Sequence, residues 1–245
     1  MTMFERGHAR IHYEEHGSGF PVLLIAPGGM RSVIEAWQRA PWNPIDQLSP
    51  SYRVIAMDQR NAGRSTAPIS AYDGWAAYTS DQLALLDHLG IDRFHVLGMC
   101  IGGSYIAGLI RTAPERVASA VALQPIGLDG NREAFTELFD GWVAEIAADH
   151  PEVSAADWAG FRDGMYGGDD MLFSASAAEI AAFDTPILVL MGDDRYHPRS
   201  ASAMLAATAP RATLVERWKE PDDQPAARAA VEAFLSENTP RVPDR

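Results

Sequence analysis

The chain has 245 residues, 47% of them hydrophobic, which suits one α/β domain. Its formal net charge of −13 argues against nucleic acid or an anionic membrane as a partner. No apolar run reaches the roughly 18 residues that a membrane span needs, and residues 1–6 lack the layout of a signal peptide. Because Cys100 is the single cysteine, an internal disulfide and a metal site built on several thiolates are excluded. We expect a cytoplasmic protein with a small-molecule substrate and neither metal nor cofactor, and the composition is compatible with a homodimer.

Continuous apolar runs alternate with helical patterns along most of the chain. In chain order, strands are predicted at Ala9–Glu15, Pro21–Ala26, Tyr52–Met57, Arg93–Leu97, Val117–Leu123, Ile187–Met191 and Ala212–Glu216. Helices are predicted over Tyr78–Leu89, over Ser104–Ile110 and from about Pro225 to Leu235. This alternation predicts an α/β fold with a mostly parallel sheet that helices cover on both faces.

The segment from Gln124 to Asp184 departs from that alternation, because it holds three predicted helices and no convincing strand. The helices are predicted at Arg132–Ala148, Ala155–Tyr166 and Ala175–Phe183. An excursion between two core strands is most simply a small helical cap over the carboxyl edge of the sheet. We expect residues 1–123 and 185–245 to form the core domain and residues 124–184 the cap, with a few cap aromatics lining an apolar pocket.

The stretch from Gly98 to Gly103, Gly-Met-Cys-Ile-Gly-Gly, has the spacing of a nucleophile elbow with cysteine at the nucleophile position. A nucleophile on a strained strand-to-helix turn needs neighbours with almost no side chain, and Gly98 and Gly102 meet that need. A lone cysteine is more often a small buried hydrophobe. The glycines favour the reactive interpretation, because the helix end beside Cys100 stabilises a thiolate.

Three stretches resemble the capped branch of the α/β-hydrolase superfamily, over about residues 9–236. They are the elbow, the loop Pro27-Gly28-Gly29-Met30 after the first buried strand, and the turn Asp58-x-Arg60-x-x-Gly63-x-Ser65. The cysteine elbow also resembles that of dienelactone hydrolases locally. The resemblance implies an oxyanion hole from the backbone N–H of Ile101 and that of Gly29 or Met30, beside Gly28. It assigns the Asp58 turn a role in bracing the loop.

The resemblance implies a catalytic acid in the loop Gly192–Pro198, where Asp194 fits the spacing best and Asp193 comes second. A loop carboxylate that caps the following helix is the alternative. The family's histidine is expected between the last strand and the last helix, but residues 215–223 contain none. A thiol that attacks an ester needs a proton acceptor, and the leaving alkoxide needs a donor.

Three solutions to the missing histidine stay open. His197 can complete a triad with Cys100 and Asp194, His150 can descend from the cap, or no histidine acts. The sequence slightly favours the last, because a Tyr-His-Pro turn places His197 at the surface or against the cap, and three residues of separation from Asp194 is a demanding geometry.

Three functions follow as hypotheses. The first is hydrolysis of a small, mostly apolar carboxylic ester, lactone or thioester through an acyl-Cys100 intermediate. The second is another reaction of the same superfamily, such as carbon–carbon cleavage, acyl transfer or lyase-like chemistry. The third is a silent small-molecule binder, suggested by the missing histidine. Fold alone does not choose among them, but an intact elbow beside an oxyanion loop favours the first.

Overall fold

In the computed structural model, which describes residues 2–240, eight strands of that range form one sheet. The strands are β1 (Thr2–Arg6), β2 (Ala9–His16), β3 (Phe20–Ile25), β4 (Tyr52–Met57), β5 (Phe94–Met99), β6 (Val117–Leu123), β7 (Ile187–Leu190) and β8 (Ala212–Val215). They lie in the order β1-β2-β4-β3-β5-β6-β7-β8. Strands β3 to β8 are parallel to one another, whereas β2 pairs antiparallel with both β1 and β4. The predicted α/β class with a mostly parallel sheet is confirmed.

Eight α-helices in the described range connect and cover these strands. They are α1 (Pro44–Leu48), α2 (Trp75–His88), α3 (Gly102–Thr112), α4 (Arg132–Ile146), α5 (Ala155–Tyr166), α6 (Ala177–Ala181), α7 (Arg199–Thr208) and α8 (Gln224–Asn238). Short 3-10 helices at Gly29–Arg31, Ile34–Arg39 and Ala147–Asp149 complete the described elements. None of the helices in residues 2–240 is long and apolar enough to cross a membrane.

The central strands are buried on both faces, which explains their unbroken apolar sequences. In β3, Val22 and Leu24 pack into one apolar cluster, while Leu23 and Ile25 pack into the cluster on the opposite face. All four are fully buried. Strand β1 has no such signature, because Phe4 alone is buried in it, and it was not predicted.

Helices α4 to α6 lie between β6 and β7 in the chain, and α4 and α5 contact the loop that follows β3. Arg31 in that loop makes a two-pronged ion pair with Glu145 of α4 at 2.7 and 2.8 Å. The Trp75 indole of α2 donates to the Met165 carbonyl of α5 at 2.7 Å. These contacts hold α4 and α5 at the carboxyl edge of the sheet, where β3 and β5 end. Met1 and residues 241–245, included in the expected core domain, lie outside the described residues.

We predict that protonation of His95 in β5 destabilises the fold in mild acid. The ring is fully buried between Ser119 and Thr239, with nitrogen-to-oxygen distances of 2.8 and 2.9 Å. Burial, reinforced by the Arg93 charge, lowers the pKa of His95 to about 4 from 6.5. Between those two pKa values the unfolded chain binds more protons than the folded one. The contribution of neutral His95 to the free energy of unfolding is therefore complete above pH ~6.5 and decreases as the pH falls toward ~4.

Chemical denaturation across that pH range checks this prediction. The wild-type free energy of unfolding should fall by on the order of 2 kcal/mol more than that of His95→Leu. His8→Leu is the matched control, because His8 is exposed, and its pH dependence should follow that of the wild type. Equal pH dependence in wild type and His95→Leu would contradict the assignment.

Candidate active site

Cys100 occupies the turn between β5 and α3 with a φ of 63°, a left-handed conformation that is rare for residues other than glycine. Its N–H donates to the Leu123 carbonyl at 3.0 Å, and its carbonyl accepts from Ile126 N–H at 3.1 Å. The turn is thereby pinned to the end of β6. The residue is partly buried and its side chain lines the cavity at the edge of the sheet, which agrees with a presented thiol and not with a core filler.

The glycines around Cys100 are required by close approach. A Cβ on Gly98 would lie 2.9 Å from the Gly102 backbone, and one on Gly103 would lie 2.4 Å from Pro125. Gly102 faces the Ile25 carbonyl, 3.1 Å from where its Cβ would stand. Side chains at these three positions would collide with the closely packed strand, turn and helix, as the spacing of the glycines predicts.

The loop after β7 folds tightly around the Asp194 carboxylate. Oδ1 of Asp194 accepts from the N–H groups of Tyr196 and His197 at 2.9 and 3.0 Å, and both carboxylate oxygens lie 2.7 Å from His197 Nδ1. The two residues also exchange backbone hydrogen bonds, at 3.2 and 3.3 Å. A separation of three residues is thus sufficient for the Asp194 carboxylate to bind the His197 imidazole, because the backbone turns around the carboxylate and brings the ring back to it.

The expectation that His197 lies at the surface or against the cap is wrong. The residue is 8% exposed and lines the same cavity as Cys100. Its Nδ1 is held by Asp194, and its buried Nε2 has no conventional hydrogen-bond partner among the described residues, so the thiol is the group available to it. Cys100 follows β5 and His197 follows β7, and the carboxyl ends of parallel strands meet at one edge of the sheet.

The pKa values of Cys100 and His197 shift in opposite directions. Burial raises the pKa of Cys100, but the facing His197 imidazolium and the N–H groups of Gly28 and Ile101 outweigh it, and the net pKa lies below its ordinary value. Burial lowers the pKa of His197, but the Cys100 thiolate and then Asp194 raise it to about 9. Each charged form therefore stabilises the other, and both shifts favour the thiolate–imidazolium form of the pair over its neutral form.

Two backbone N–H groups face the Cys100 sulfur, from Ile101 and Gly28. The sequence assigned the second oxyanion donor to Gly29 or Met30, and because that donor faces a substrate oxygen and not the sulfur, the assignment stays a prediction. Gly28 has φ 129°, which only glycine adopts readily, and a Cβ there would lie 2.9 Å from the Arg31 carbonyl. Gly29 lines the cavity, whereas Met30 is buried behind it.

The cavity above Cys100 has a volume of about 180 Å³. Its lining side chains are mostly apolar or aromatic, and its lining residues are Gly28, Gly29, Cys100, Ile101, Ile126, Phe135, Leu138, Tyr166, Tyr196 and His197. Phe135, Leu138 and Tyr166 come from α4 and α5. None of the lining residues is a lysine, arginine, aspartate or glutamate, so the chamber favours a neutral, short acyl group.

Sequence reasoning did not identify the lining residues Phe135, Leu138, Tyr166 and Tyr196. Apolar spacing marks Phe135 and Tyr166 as buried helix positions, but it cannot separate a side chain that packs within α4 and α5 from one that faces a cavity. Gly192 was also missed as a positioning residue. Its Cβ would lie 2.4 Å from the His197 carbonyl and 2.7 Å from the His197 Cβ.

Other residues considered from the sequence lie outside this constellation. Asp193 pairs with Lys219 and not with a histidine. His150 lies at 3.2 Å from Glu152 and packs on Trp158. Trp218 fills the stretch where the resemblance places a histidine, is buried, and donates to the Met191 carbonyl at 2.7 Å.

The Asp58 turn braces the loop, as expected. The carboxylate accepts from Ile34 N–H at 2.8 Å and from Arg64 N–H at 3.0 Å, and the Ser65 hydroxyl donates to the Asp58 carbonyl. Arg60 is taken up by ion pairs with Asp73 and Asp81. Among residues 2–240, no three histidine, cysteine, aspartate or glutamate side chains converge in a way that could hold a metal ion.

Residues 21–175 match the family model described as alpha/beta hydrolase fold. Over 93% of its length the chain is 27% identical to the 2-hydroxymuconate semialdehyde hydrolase of Pseudomonas putida, covering 91% of that protein. It is 30% identical to the non-heme chloroperoxidase of Streptomyces lividans, over 65% of this chain and 71% of the relative. In two further relatives, from Synechocystis sp. and Azorhizobium caulinodans, the chain spans 53% and 42% of their length.

The solved structures that resemble this fold include the enol-lactonase of Burkholderia xenovorans. Its TM-score is 0.70 at 21% identity, covering 96% of this chain and all of the other. At that identity the likeness concerns the fold.

We predict that Gly192→Ala inactivates the site without altering any chemical group in it. The added methyl meets the His197 backbone and Cβ, so the imidazole shifts relative to Cys100. A shift of about 1 Å costs up to ~100-fold in rate, and we expect kcat/KM on an activated ester to fall at least tenfold. Circular dichroism should show a folded protein.

Gly168→Ala is the matched control, because no atom lies within 4 Å of a Cβ placed there. It should retain the wild-type rate. Wild-type activity in Gly192→Ala would show that His197 does not need its observed position.

Proposed function

The chain belongs to the α/β-hydrolase fold family, and we propose that it hydrolyses a small, neutral carboxylic ester, lactone or thioester through an acyl-Cys100 intermediate. The observation that carries the proposal is that Cys100 and the Asp194-bound His197 line one apolar cavity, with two backbone N–H groups at the sulfur. This arrangement supplies a nucleophile, a proton carrier and an oxyanion hole.

In acylation, the Cys100 thiolate attacks the substrate carbonyl carbon, and the carbonyl electron pair moves to the oxygen. The N–H groups of Ile101 and Gly28 receive that oxyanion. When the tetrahedral intermediate collapses, the bond to the leaving oxygen or sulfur breaks, and His197 Nε2–H gives its proton to the leaving group. Asp194 holds Nδ1 and stabilises the imidazolium until that transfer.

In deacylation, the neutral His197 accepts a proton from water at Nε2, and the hydroxide adds to the thioester carbon. Collapse releases the carboxylic acid and restores the thiolate and imidazolium. The sum is one substrate and one water converted to an acid and an alcohol or thiol, or to a hydroxy acid when the substrate is a lactone. No group beyond the described residues is needed for proton balance.

The relatives supply a second candidate, hydrolytic carbon–carbon cleavage. The match to a protein named as a 2-hydroxymuconate semialdehyde hydrolase covers nearly all of both chains. The cavity supports ester-type substrates better, because its lining offers no cationic side chain apart from His197 for a substrate carboxylate. A silent binding protein remains the outcome if no covalent chemistry occurs.

Intact-mass analysis after brief exposure to activated esters tests the proposal. We expect a mass increase equal to the acyl group, located on Cys100 and absent from Cys100→Ala. Turnover should follow in the wild type and cease in Cys100→Ala. Absence of both adduct and turnover across ester, lactone and thioester panels, with an intact thiol, would refute it.

The pH dependence of acylation is a separate prediction. The rate should rise as Cys100 loses its proton, at a pH below the ordinary thiol pKa, because the reactive form is the thiolate. It should fall as the pH passes about 9, where His197 loses the proton that the leaving group needs. Stopped-flow measurement of nitrophenolate release should give a bell-shaped dependence of the acylation rate on pH. A rate that continues to rise beyond the pKa of His197 would contradict its role as the general acid.

A further inference from the structure

Tyr166 carries a hydroxyl group that its surroundings leave almost without a partner. The residue is 2% exposed and lines the cavity above Cys100. Its hydroxyl donates to the sulfur of Met30 at 3.8 Å, and no other partner for it occurs among the described residues. Thioether sulfur is a weak acceptor, so a strong donor on a cavity-lining residue has little to bind.

The ring cannot turn away to find a better acceptor. It is stacked on Phe135 with centroids 5.3 Å apart and packed edge-on against Trp75 and Phe173 at 6.0 and 5.3 Å. Burial, with the nearby Cys100 charge contributing, holds the pKa of Tyr166 well above its ordinary value. The group is therefore a fixed, neutral donor at reaction pH.

The bound acyl group determines whether this donor is satisfied. A purely hydrocarbon group that fills the cavity excludes water and leaves the hydroxyl with sulfur alone. Burying an unsatisfied donor carries a free-energy cost. A group with an oxygen acceptor at the right position removes that cost.

Resting on the proposed function, we infer that Tyr166 determines specificity by donating a hydrogen bond to a neutral oxygen in the acyl part of the substrate. Ketone and ether oxygens are acceptors of the required type. A carboxylate is excluded from that role, because the lining provides no cationic partner besides His197, which pairs with the thiolate. The volume of about 180 Å³ places the acceptor within a few atoms of the scissile carbonyl.

Two other tyrosines near the site do not meet the same conditions. Tyr196 lines the cavity but is partly exposed, so solvent can satisfy its hydroxyl. Tyr105 has a buried hydroxyl without a partner in the described residues, but it does not line the cavity. Tyr105→Phe is therefore a matched control for the loss of a buried phenol oxygen.

The test compares substrates of equal shape in which an ether oxygen replaces a methylene group. The pairs are the para-nitrophenyl esters of methoxyacetate and butanoate, and of 3-methoxypropanoate and pentanoate. In at least one pair, Tyr166→Phe should lower kcat/KM for the ether ester about five- to tenfold, as expected for one neutral hydrogen bond. The quantity compared is the ratio of kcat/KM for the ether ester to that for its alkyl partner, which Tyr166→Phe should lower and Tyr105→Phe should leave unchanged.

Equal factors for both members of every pair in Tyr166→Phe would overturn the inference. If the wild type forms no acyl adduct at all, the proposed function fails. The Tyr166 inference is then tested separately by the binding of unreactive amides to the cavity. Methoxyacetamide and 3-methoxypropanamide are compared with butanamide and pentanamide for protection of Cys100 against iodoacetamide. Better protection by an ether amide in the wild type, lost in Tyr166→Phe, supports the donor, and equal protection overturns it.

Discussion

The contact between the Asp194 carboxylate and the His197 imidazole is the constraint on which the rest of the site depends. It orients the ring through Nδ1, leaves Nε2 for the thiol, and forms within a single turn of chain. Gly192 beneath that turn allows it to close. A shift in any of these three residues would separate the proton carrier from Cys100, although the elbow itself would remain intact.

The surrounding structure increases the strength of that contact. A thiolate and an imidazolium are costly to bury, and they persist only when each compensates the other and further donors and acceptors are satisfied. Gly28 and Ile101 supply donors to the sulfur, and Asp194 supplies the acceptor for the ring. The apolar side chains of α4 and α5 keep the medium around the pair poor in competing polar groups.

The strands and the elbow could be predicted from the sequence because local patterns determine them. Tyr52–Met57 and Val117–Leu123 are continuous apolar runs that match β4 and β6 to the residue, and the glycines at positions 98 and 102 report a backbone conflict that any side chain would create. Loop geometry was less accessible. Whether His197 turns inward depends on three hydrogen bonds to Asp194 that no periodicity encodes. Tyr166 was visible only as a buried aromatic, since its hydroxyl environment comes from residues distant in sequence.

Titration of the Cys100 thiol by its thiolate ultraviolet absorbance tests the central claim most directly. The wild type should titrate below the ordinary thiol value of about 8.5, and His197→Ala should raise that pKa because the facing imidazolium is gone. His150→Ala should leave it unchanged, since that residue pairs with Glu152. An ordinary or raised pKa in the wild type, or the same pKa in wild type and His197→Ala, would contradict a Cys100–His197 pair.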